Sequence, residues 1–444
     1  MPNRKNGWQS DQRFTDAAYK DFNLIFFAFV VGALAGILSS IFRLTLAYLD
    51  RLREQLYTAA GHWGFISWLM PALLGIIGIS ASLYLVKKFA PETSGSGVQE
   101  IEGALDELRP LRWKRVLPIK FIASLFSLGS GLLLGREGPT IQLGANIGKM
   151  IKDVFKHSDY KTNPLVSAGA AAGLAGAFNA PLSGIVFVME EMHEHFKYSF
   201  FSLAAIMVAS GTADFVVRLI VGADPVIKMV VFATPPLSAL WLFILLGIFF
   251  SLVGYAFNRL LIFSLNFFAY QSNGVLLVSI IIGGIVIALA GIFYPSMIGG
   301  GYETIRMALD HSFTLQFLLV LFIGRLLLTI FSYGIGSPGG IFAPLLALGV
   351  VFGMLFGSVM QPYFPELISH PGVFAVAGMA GIFAATVRAP LTGLMLALEM
   401  TSNFELLLPL IFTTVTASLI TTQLGNQPIY TILLERTLEK TKAG

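Results

Sequence analysis

Three short glycine- and proline-rich motifs occur twice along this chain, in the same order and at nearly the same separation. In the first half they are Gly95-Ser96-Gly97, Gly135-Arg136-Glu137-Gly138-Pro139 and Ala180-Pro181-Leu182-Ser183-Gly184. In the second half they are Gly299-Gly300-Gly301, Gly340-Ile341-Phe342-Ala343-Pro344 and Ala389-Pro390-Leu391-Thr392-Gly393. The offsets between partners are 204, 205 and 209 residues. The chain is therefore predicted to fold as two structural repeats.

The 444-residue chain is 55% hydrophobic and 12% charged. Because soluble domains carry about 25% charged residues, this composition predicts a polytopic membrane protein. Apolar runs long enough to cross a membrane lie near 23–42, 66–86, 198–213, 237–261, 275–294 and 314–331. Shorter or interrupted runs lie near 121–134, 165–178, 181–189, 341–357, 371–387 and 390–398. Interrupted segments must be buried in protein or line a wet cavity, which is typical of a transporter or channel with its site between the repeats.

The distribution of basic residues predicts the orientation of the chain. The first 21 residues lack an apolar core, so they do not form a cleavable secretory signal. Lys and Arg residues near the ends of spans mark cytoplasmic segments, and they occur in both tails and in a cluster formed by Lys87, Lys88, Arg109, Arg112, Lys114 and Arg115. Both termini are therefore expected in the cytoplasm. Two repeats that each cross an odd number of times are then inverted; we expect them at 22–220 and 235–425, with no C-terminal cytosolic regulatory domain.

The motifs are expected to start helices near the middle of the membrane. Pro139 and Pro344 suit the first turn of a helix, where a missing N–H is harmless. A helix N-terminus carries partial positive charge and unpaired N–H groups, so it attracts anions. Two inverted repeats would direct the N-termini at Arg136–Gly138 and Ile341–Ala343 to one point, with the Ser96 hydroxyl nearby. The sequence therefore predicts an anion site between the repeats.

A carboxylate that is present in only one repeat is not explained by shared architecture. Glu137 corresponds to Phe342, and Glu191 corresponds to Met400. A charge at the bilayer centre costs about 3 kcal/mol, so such a residue usually has a role. An ionised Glu137 at the helix start would occupy the place of an anion, and a protonated one would leave it. These two states would couple proton binding to anion movement.

Other charged residues have more ordinary interpretations. Glu190 and Glu399 are repeat mates and are interpreted as forming equivalent structural hydrogen bonds. Glu191 is left open at this point, since a helix that ends near it would expose it to water. For Arg136 and Lys120 two interpretations stay open: they tune the potential of the pathway, or they pair with acids and serve packing. The interpretation of Arg325 and Arg388 is structural.

Several classes of function lack support in the sequence. The chain has no cysteine, which excludes disulfides, thiolate catalysis and cysteine-based metal sites. His193-Glu194-His195 is interpreted as a polar interfacial loop, because its histidines do not share a helix face and no third ligand is evident. No nucleotide-binding loop is present, and no nucleophile and base are gathered for catalysis. We therefore expect that the protein is not an enzyme, binds no metal or cofactor and has no nucleic-acid partner.

These motifs resemble those of the CLC family of chloride channels and chloride/proton exchangers, with the bacterial exchangers most similar. The matching residues are Gly95-Ser96-Gly97-Val98, Gly135-Arg136-Glu137-Gly138-Pro139, Gly339-Gly340-Ile341-Phe342-Ala343-Pro344 and Tyr430. The resemblance implies the all-α CLC fold, in which two inverted repeats contain tilted and half-spanning helices. It also implies a homodimer in the lipid of a bacterial inner membrane, with one pathway in each subunit.

The resemblance implies roles for individual residues. Chloride would be held by the Ser96 and Tyr430 hydroxyls and by N–H groups at the helix starts, namely those of Ile341 and Phe342, with Arg136, Gly138 and Ala343 around them. Glu137 matches the gating glutamate of the family, which exchanges the proton and competes with chloride. Glu191 matches the internal proton-transfer glutamate of the exchangers.

The resemblance also bears on transport mode. The position of Glu191 is usually aliphatic in the family's channels, so a chloride/proton antiporter is favoured over a passive chloride channel, which is the main alternative. Ser96 fits chloride selectivity. Gln99 departs from the family, which usually has proline there, and this substitution is expected to loosen the Ser96 loop. Membrane-embedded transferases and cation transporters are weaker alternatives. A transferase would need a nucleophile and a base gathered at the site, and a cation transporter would need helix C-termini there.

Overall fold

A computed structural model describes residues 6–60, 68–155, 164–192, 199–227, 229, 231–310 and 313–443. The His193-Glu194-His195 segment lies outside the described residues. Within these ranges the chain is helical, and the β-structure is limited to one isolated antiparallel bridge between Gly135 and Gly340. The expectation of an all-α fold is therefore confirmed.

The described helices fall into two series of eight followed by one more. The first series is α1 (Asn6–Ala60), α2 (Leu69–Phe89), α3 (Val98–Leu105), α4 (Trp113–Gly129), α5 (Glu137–Val154), α6 (Pro164–Phe178), α7 (Pro181–Glu191) and α8 (Phe200–Ile220). The second is α9 (Leu240–Ala269), α10 (Asn273–Phe293), α11 (Tyr302–Asp310), α12 (Leu315–Gly334), α13 (Phe342–Met360), α14 (Gly372–Thr386), α15 (Pro390–Thr401) and α16 (Leu407–Gln423). The last helix is α17 (Ile429–Ala443).

Eight of the described helical segments are long and apolar enough to cross a membrane. Six of them correspond to the six long apolar runs of the sequence. The seventh, Phe342–Met360, was expected to be interrupted, but Pro344 lies in its first turn and does not break it. The eighth, Phe404–Gln423, was missed because threonines lower its apolar character. Their hydroxyls are satisfied within the helix, as when Thr414 donates to the Leu410 carbonyl at 2.9 Å.

Helices α6 and α14 are too short to span a membrane, and every residue in them is buried. Their alanines and glycines allow the neighbouring helices to approach closely. A methyl group at Gly144 of α5 would overlap the Gly169 carbonyl of α6, and one at Gly349 of α13 would overlap the Gly378 carbonyl of α14. As predicted, these short apolar segments lie inside the protein rather than against lipid.

The packing of the first series is reproduced in the second. Helix α1 packs on α8 as α9 packs on α16, and α5 packs on α6 as α13 packs on α14. Helix α6 contacts α8 as α14 contacts α16. The two series meet where α2 contacts α10, α7 contacts α15 and α5 contacts α13. Contacts between corresponding helices are the signature of a local two-fold relation.

Two glutamates form reciprocal caps across this two-fold relation. Glu399 of α15 accepts hydrogen bonds from the Leu182 N–H (3.0 Å), the Ser183 N–H (2.7 Å) and the Ser183 hydroxyl (2.6 Å) at the start of α7. Glu190 of α7 accepts from the Leu391 N–H (3.0 Å), the Thr392 N–H (2.7 Å) and the Thr392 hydroxyl (2.8 Å) at the start of α15. Each carboxylate satisfies unpaired N–H groups and complements the helix dipole. The prediction of equivalent structural hydrogen bonds is confirmed.

We predict that Glu399→Gln lowers the free energy of unfolding by about 1.5–3 kcal/mol, the usual worth of hydrogen bonds to a charged group. The glutamine has one acceptor oxygen, and its amide NH₂ would face N–H donors of α7. Thermal unfolding of the detergent-purified protein measures the loss. Glu366→Gln, at an exposed position, is the control; equal stability of the two variants would show that the cap does not stabilise the contact.

Candidate functional site

The starts of α5 and α13 are joined by two backbone hydrogen bonds. The Gly135 N–H donates to the Gly340 carbonyl, and the Gly340 N–H donates to the Gly135 carbonyl, each at 2.7 Å. A Cβ atom at Gly340 would lie 2.7 Å from the amide nitrogen of Gly138, so only glycine permits this approach. Both helices begin two residues later, at Glu137 and Phe342. The predicted convergence of two helix N-termini is present.

The Ser96 loop lies directly beside this junction. Gly95 and Gly97 have φ angles of 61° and 87°, a conformation that favours glycine, and Ser96 between them is fully buried. A Cβ atom at Gly138 would lie 2.6 Å from the Ser96 hydroxyl oxygen. The Gly339 N–H also donates to the Gly95 carbonyl at 2.9 Å. The loop is thus attached to both helix starts.

Tyr430 brings a second hydroxyl to the same place. It is fully buried at the start of α17, and its ring centroid lies 5.9 Å from that of Phe342. The Tyr430 and Ser96 hydroxyls lie close together, and neither makes a hydrogen bond of normal geometry to another described residue. Buried hydroxyls are almost always hydrogen-bonded. Two such groups beside helix N-termini therefore suit a bound anion.

Lys120 holds the Ser96 loop in place. Its ammonium group is fully buried and donates to the carbonyls of Thr93 (2.9 Å), Gly95 (2.7 Å) and Ser96 (3.1 Å). These bonds satisfy the charge within the backbone of the loop, so Lys120 positions the loop and places a cation beside it. The packing interpretation of Lys120 is supported, with backbone carbonyls rather than acids as its partners, and a role in tuning the potential of the pathway stays a prediction.

Arg325 does the same for the corresponding loop of the second series. It is fully buried and donates to the carbonyls of Ser296 (2.9 Å), Ile298 (3.3 Å) and Gly299 (3.1 Å). It also donates to the Thr304 hydroxyl at 2.8 Å. This geometry agrees with the structural interpretation of Arg325. Arg388 donates to the Asn426 carbonyl at 3.3 Å.

The Glu137 side chain lies between the two helix starts. It is fully buried. One carboxylate oxygen accepts a hydrogen bond from the Tyr302 hydroxyl, and the other lies over the Cα of Gly135, next to the Ala343 methyl group. The Arg136 guanidinium lies 4.5 Å from the centroid of the Tyr302 ring. A negative charge from the protein itself therefore faces the N-termini that attract anions.

Two solvent-accessible cavities approach this centre. The first, called the Tyr302 cavity, has a volume of ≈ 390 Å³, and the polar and charged side chains in its wall include Arg43, Asp50, Arg136, Asp224 and Tyr302. The second, called the Tyr333 cavity, has a volume of ≈ 670 Å³. The basic side chains that line the Tyr333 cavity are Lys87, Arg109, Arg112, Arg115, Arg436 and Lys440. It therefore joins most of the basic cluster of the sequence to the C-terminal helix.

The Tyr333 cavity reaches the Ser96 loop. Gly95, Gln99 and Tyr333 are part of its wall, and the Ser96 N–H donates to the Tyr333 hydroxyl at 3.2 Å. Two of its cations are paired, since Arg109 contacts Glu100 at 2.9 Å and Arg115 contacts Glu92 at 2.7 Å. The surplus of positive charge would attract anions to this entrance.

Glu191 is the last residue of α7 and is half-buried, so the helix does end at this point, as one of the open alternatives allowed. Its repeat mate Met400 is fully buried. One turn earlier on α7, Phe187 packs edge-on against Phe342 with ring centroids 5.5 Å apart. Glu191 therefore lies about one helical turn beyond a ring that contacts the start of α13.

Sequence reasoning missed several residues that the structure brings to the site. Tyr302 contacts Glu137, and Tyr333 contacts Ser96, although neither tyrosine was identified from the sequence. Lys120 and Arg325 were considered separately, yet they are 205 residues apart, the same offset as the central motif. Extending the repeat alignment beyond the glycine motifs would have identified that pair. No group of three or more potential metal ligands occurs in the part of the chain that the structure describes.

Comparisons with known proteins identify a family that matches most of this chain. The family model for "Voltage gated chloride channel" matches residues 77–422. The H(+)/Cl(-) exchange transporter ClcA of Vibrio parahaemolyticus is 44% identical over 440 residues, which cover 97% of this chain and 93% of that protein. The protein of the same name from Salmonella paratyphi A is 42% identical over 424 residues, covering 95% of this chain and 90% of that protein.

Solved structures show the same fold. The crystal structure of a slow cyanobacterial Cl⁻/H⁺ antiporter superposes with a TM-score of 0.91 at 39% identity, covering 94% of this chain and 99% of that chain. A eukaryotic CLC transporter superposes with a TM-score of 0.79 at 22% identity, covering 93% of this chain and 74% of that chain. The second likeness concerns the fold alone.

The fold and the site define a polytopic membrane protein with a buried, anion-attracting centre. The chain belongs to the CLC family of chloride channels and chloride/proton exchangers. The resemblance inferred from the motifs is confirmed, and the membrane-enzyme interpretation is set aside because this is a family of channels and transporters.

We predict that Lys120→Met lowers the free energy of unfolding by on the order of 3 kcal/mol, because three buried carbonyls lose their donor. Backbone amides of residues 93–97 should also exchange hydrogen faster. Thermal unfolding and hydrogen exchange measure the two effects. Lys114→Met, at an exposed position at the start of the same helix, serves as the control. Unchanged exchange in the loop would contradict the positioning role.

Proposed function

We propose that this protein is a secondary active antiporter that exchanges chloride for protons across a bacterial membrane. The observation that carries the proposal is the Glu137 carboxylate, which is fully buried between two converging helix N-termini. A protonatable anion at an anion site can be replaced by chloride only when it moves away. The names of the relatives that are 42–44% identical support exchange rather than passive conduction.

Chloride would occupy the space that the site residues share. The Ser96 and Tyr430 hydroxyls would donate to it, together with N–H groups at the start of α13, those of Ile341 and Phe342. This assignment is supported by the burial of both hydroxyls and by their closeness to each other beside the start of α13. Nearer the Glu137 carboxylate, the helix starts at Arg136, Gly138 and Ala343 would hold a second anion when that carboxylate leaves.

The proton would pass between two carboxylates. Glu137 would take it at the anion site, and Glu191 would exchange it with the cytoplasm. Two observations support this role: Glu191 is half-buried at the end of α7, and Phe187, one turn earlier on the same helix, contacts Phe342 at the proposed anion site. Chloride and protons would then both pass Glu137. On the cytoplasmic side their paths would separate, because the proton would pass through Glu191 and chloride would follow the Tyr333 cavity to Ser96.

We also propose two inverted repeats at 22–220 and 235–425, with both termini in the cytoplasm of a bacterial inner membrane. The reciprocal Glu190 and Glu399 caps support the two-fold relation, and the basic residues around the Tyr333 cavity support its cytoplasmic location. Because the chain has no cysteine, single cysteines introduced on either face and labelled from one side in intact cells test this orientation.

A homodimer with one pathway in each subunit follows from membership of the family as an expectation. The outward faces of α8 and α16 carry exposed apolar side chains, such as Phe215, Leu219, Ile411 and Leu419, which suit either lipid or a second subunit. Light scattering of the detergent-solubilised protein distinguishes the two: a single-chain mass would contradict the dimer.

A passive chloride channel is the second candidate, because the same anion site would serve it. The deciding experiment uses purified protein in chloride-loaded liposomes, with the voltage clamped by potassium and valinomycin. For an antiporter, an imposed chloride gradient drives protons uphill. Chloride flux without proton movement would identify a channel and would remove the role given to Glu191.

We predict that Glu137→Gln abolishes chloride-driven proton movement while chloride still passes. The amide keeps the size of the side chain but can neither carry the proton nor present a negative charge. The liposome assay measures both fluxes in the same preparation. Normal coupling in this variant would contradict the assignment of Glu137.

We predict that Glu191→Val also abolishes proton movement and leaves residual chloride flux, because the internal proton donor is lost while the anion site is intact. Glu366→Gln, an exposed carboxylate elsewhere, is the control and should retain coupling. Unchanged coupling in Glu191→Val would assign proton entry to Glu190 or to a water path.

A further inference from the structure

Tyr302, which contacts Glu137, also differs in polarity from the residue at the corresponding position of the other repeat. Glu137 corresponds to Phe342 in the second repeat, and Tyr302 corresponds to Val98 in the first. The two polar residues Glu137 and Tyr302 therefore correspond to the two apolar residues Phe342 and Val98. Shared architecture does not require a hydroxyl at residue 302, since the repeat tolerates an aliphatic side chain at the equivalent position.

The Tyr302 hydroxyl donates a hydrogen bond to the Glu137 carboxylate. Glu137 has no exposed surface, whereas Tyr302 is half-buried and forms part of the wall of the Tyr302 cavity. The tyrosine thus separates the carboxylate from solvent on that side. A ligand arriving through this cavity meets Tyr302 before it meets Glu137.

The position of Tyr302 is fixed by contacts that do not involve its hydroxyl. Its ring lies against the Arg136 guanidinium at 4.5 Å and against the Phe178 ring at 6.4 Å between centroids. The preceding loop is held by Arg325, which donates to the Gly299 and Ile298 carbonyls at 3.1 and 3.3 Å. The hydroxyl is therefore presented to Glu137 by a rigid support, and replacing it with hydrogen would leave that support intact.

A hydrogen bond to an ionised carboxylate is stronger than one between neutral groups. It therefore favours the ionised carboxylate that lies between the helix starts over the same carboxylate displaced into water. Chloride has to compete with that arrangement for the N–H groups of the helix starts. The strength of this one hydrogen bond would then enter directly into the apparent chloride affinity and into the frequency with which the site opens.

We propose that Tyr302 is a positioning residue that latches Glu137 in the anion pathway and so sets how easily chloride replaces it. The inference rests on the proposed gating role of Glu137. A gate held by the helix starts alone would not depend on Tyr302. The proposal therefore assigns part of the rate of exchange to a residue of the second repeat.

Tyr302→Phe tests the latch, because phenylalanine keeps the ring contacts with Arg136 and Phe178. Chloride binding is measured by titration calorimetry on the detergent-purified full chain, and chloride turnover is measured in liposomes. Loss of a hydrogen bond to a charged group should tighten apparent chloride binding by about tenfold and increase turnover severalfold, while proton coupling persists because Glu137 remains. Tyr363→Phe, at an exposed tyrosine, is the control and should change neither.

The same substitution in the Glu137→Gln background separates a latch from a packing effect. With no charged carboxylate to hold, Tyr302→Phe should leave chloride binding and turnover unchanged in that background. Equal effects in both backgrounds, or no effect of Tyr302→Phe in the native background, would overturn the latch. Failure of Glu137→Gln to uncouple protons would instead contradict the proposed function, so the two failures are distinguishable.

Discussion

Two 2.7 Å hydrogen bonds between Gly135 and Gly340 join the halves of this protein at its centre. They bring two backbones so close that a Cβ atom on Gly340 would lie 2.7 Å from the Gly138 amide nitrogen, and one on Gly135 would overlap the Glu137 carboxylate. Two helices start immediately beyond this contact, so their unpaired N–H groups and dipoles converge on a small volume. Such a convergence is unfavourable without a negative charge, and the Glu137 carboxylate provides one. The proposed anion site is thus a consequence of how the two halves are joined.

A buried polar group is costly without a partner, and the local two-fold relation supplies some of these partners in pairs. Lys120 and Arg325 neutralise the carbonyls of corresponding loops, and Glu190 and Glu399 cap corresponding helices. The residues proposed to act in transport lack this pairing. Glu137, Glu191 and Tyr302 each occupy a position where the other repeat has an apolar side chain. Symmetry therefore describes the scaffold, and its violations identify the candidates for function.

Much of this arrangement was predictable from the sequence because it is encoded locally. A proline in the first turn marks the starts of α5 and α13, and long apolar runs mark six of the spans. The equal spacing of Glu190 and Glu399 after their prolines predicted equivalent bonds. Phe404–Gln423 was missed because hydropathy counts a threonine hydroxyl as polar even when the helix's own carbonyl satisfies it. Tyr302 was missed because its partner is 165 residues away, and nothing in its neighbourhood indicates a hydrogen bond to Glu137.

Hydropathy along the chain predicts that it crosses a membrane. Comparison of the two halves shows the repeated motifs, the glycines where helices begin, and Glu137 and Glu191 without a counterpart. The contacts between distant residues are visible only in the folded chain: Tyr302 with Glu137, Tyr333 with Ser96, and Lys120 with the carbonyls of the Ser96 loop. Hydrogen bonds depend on distances of about 3 Å between atoms, and the separation of two residues in sequence does not specify such a distance.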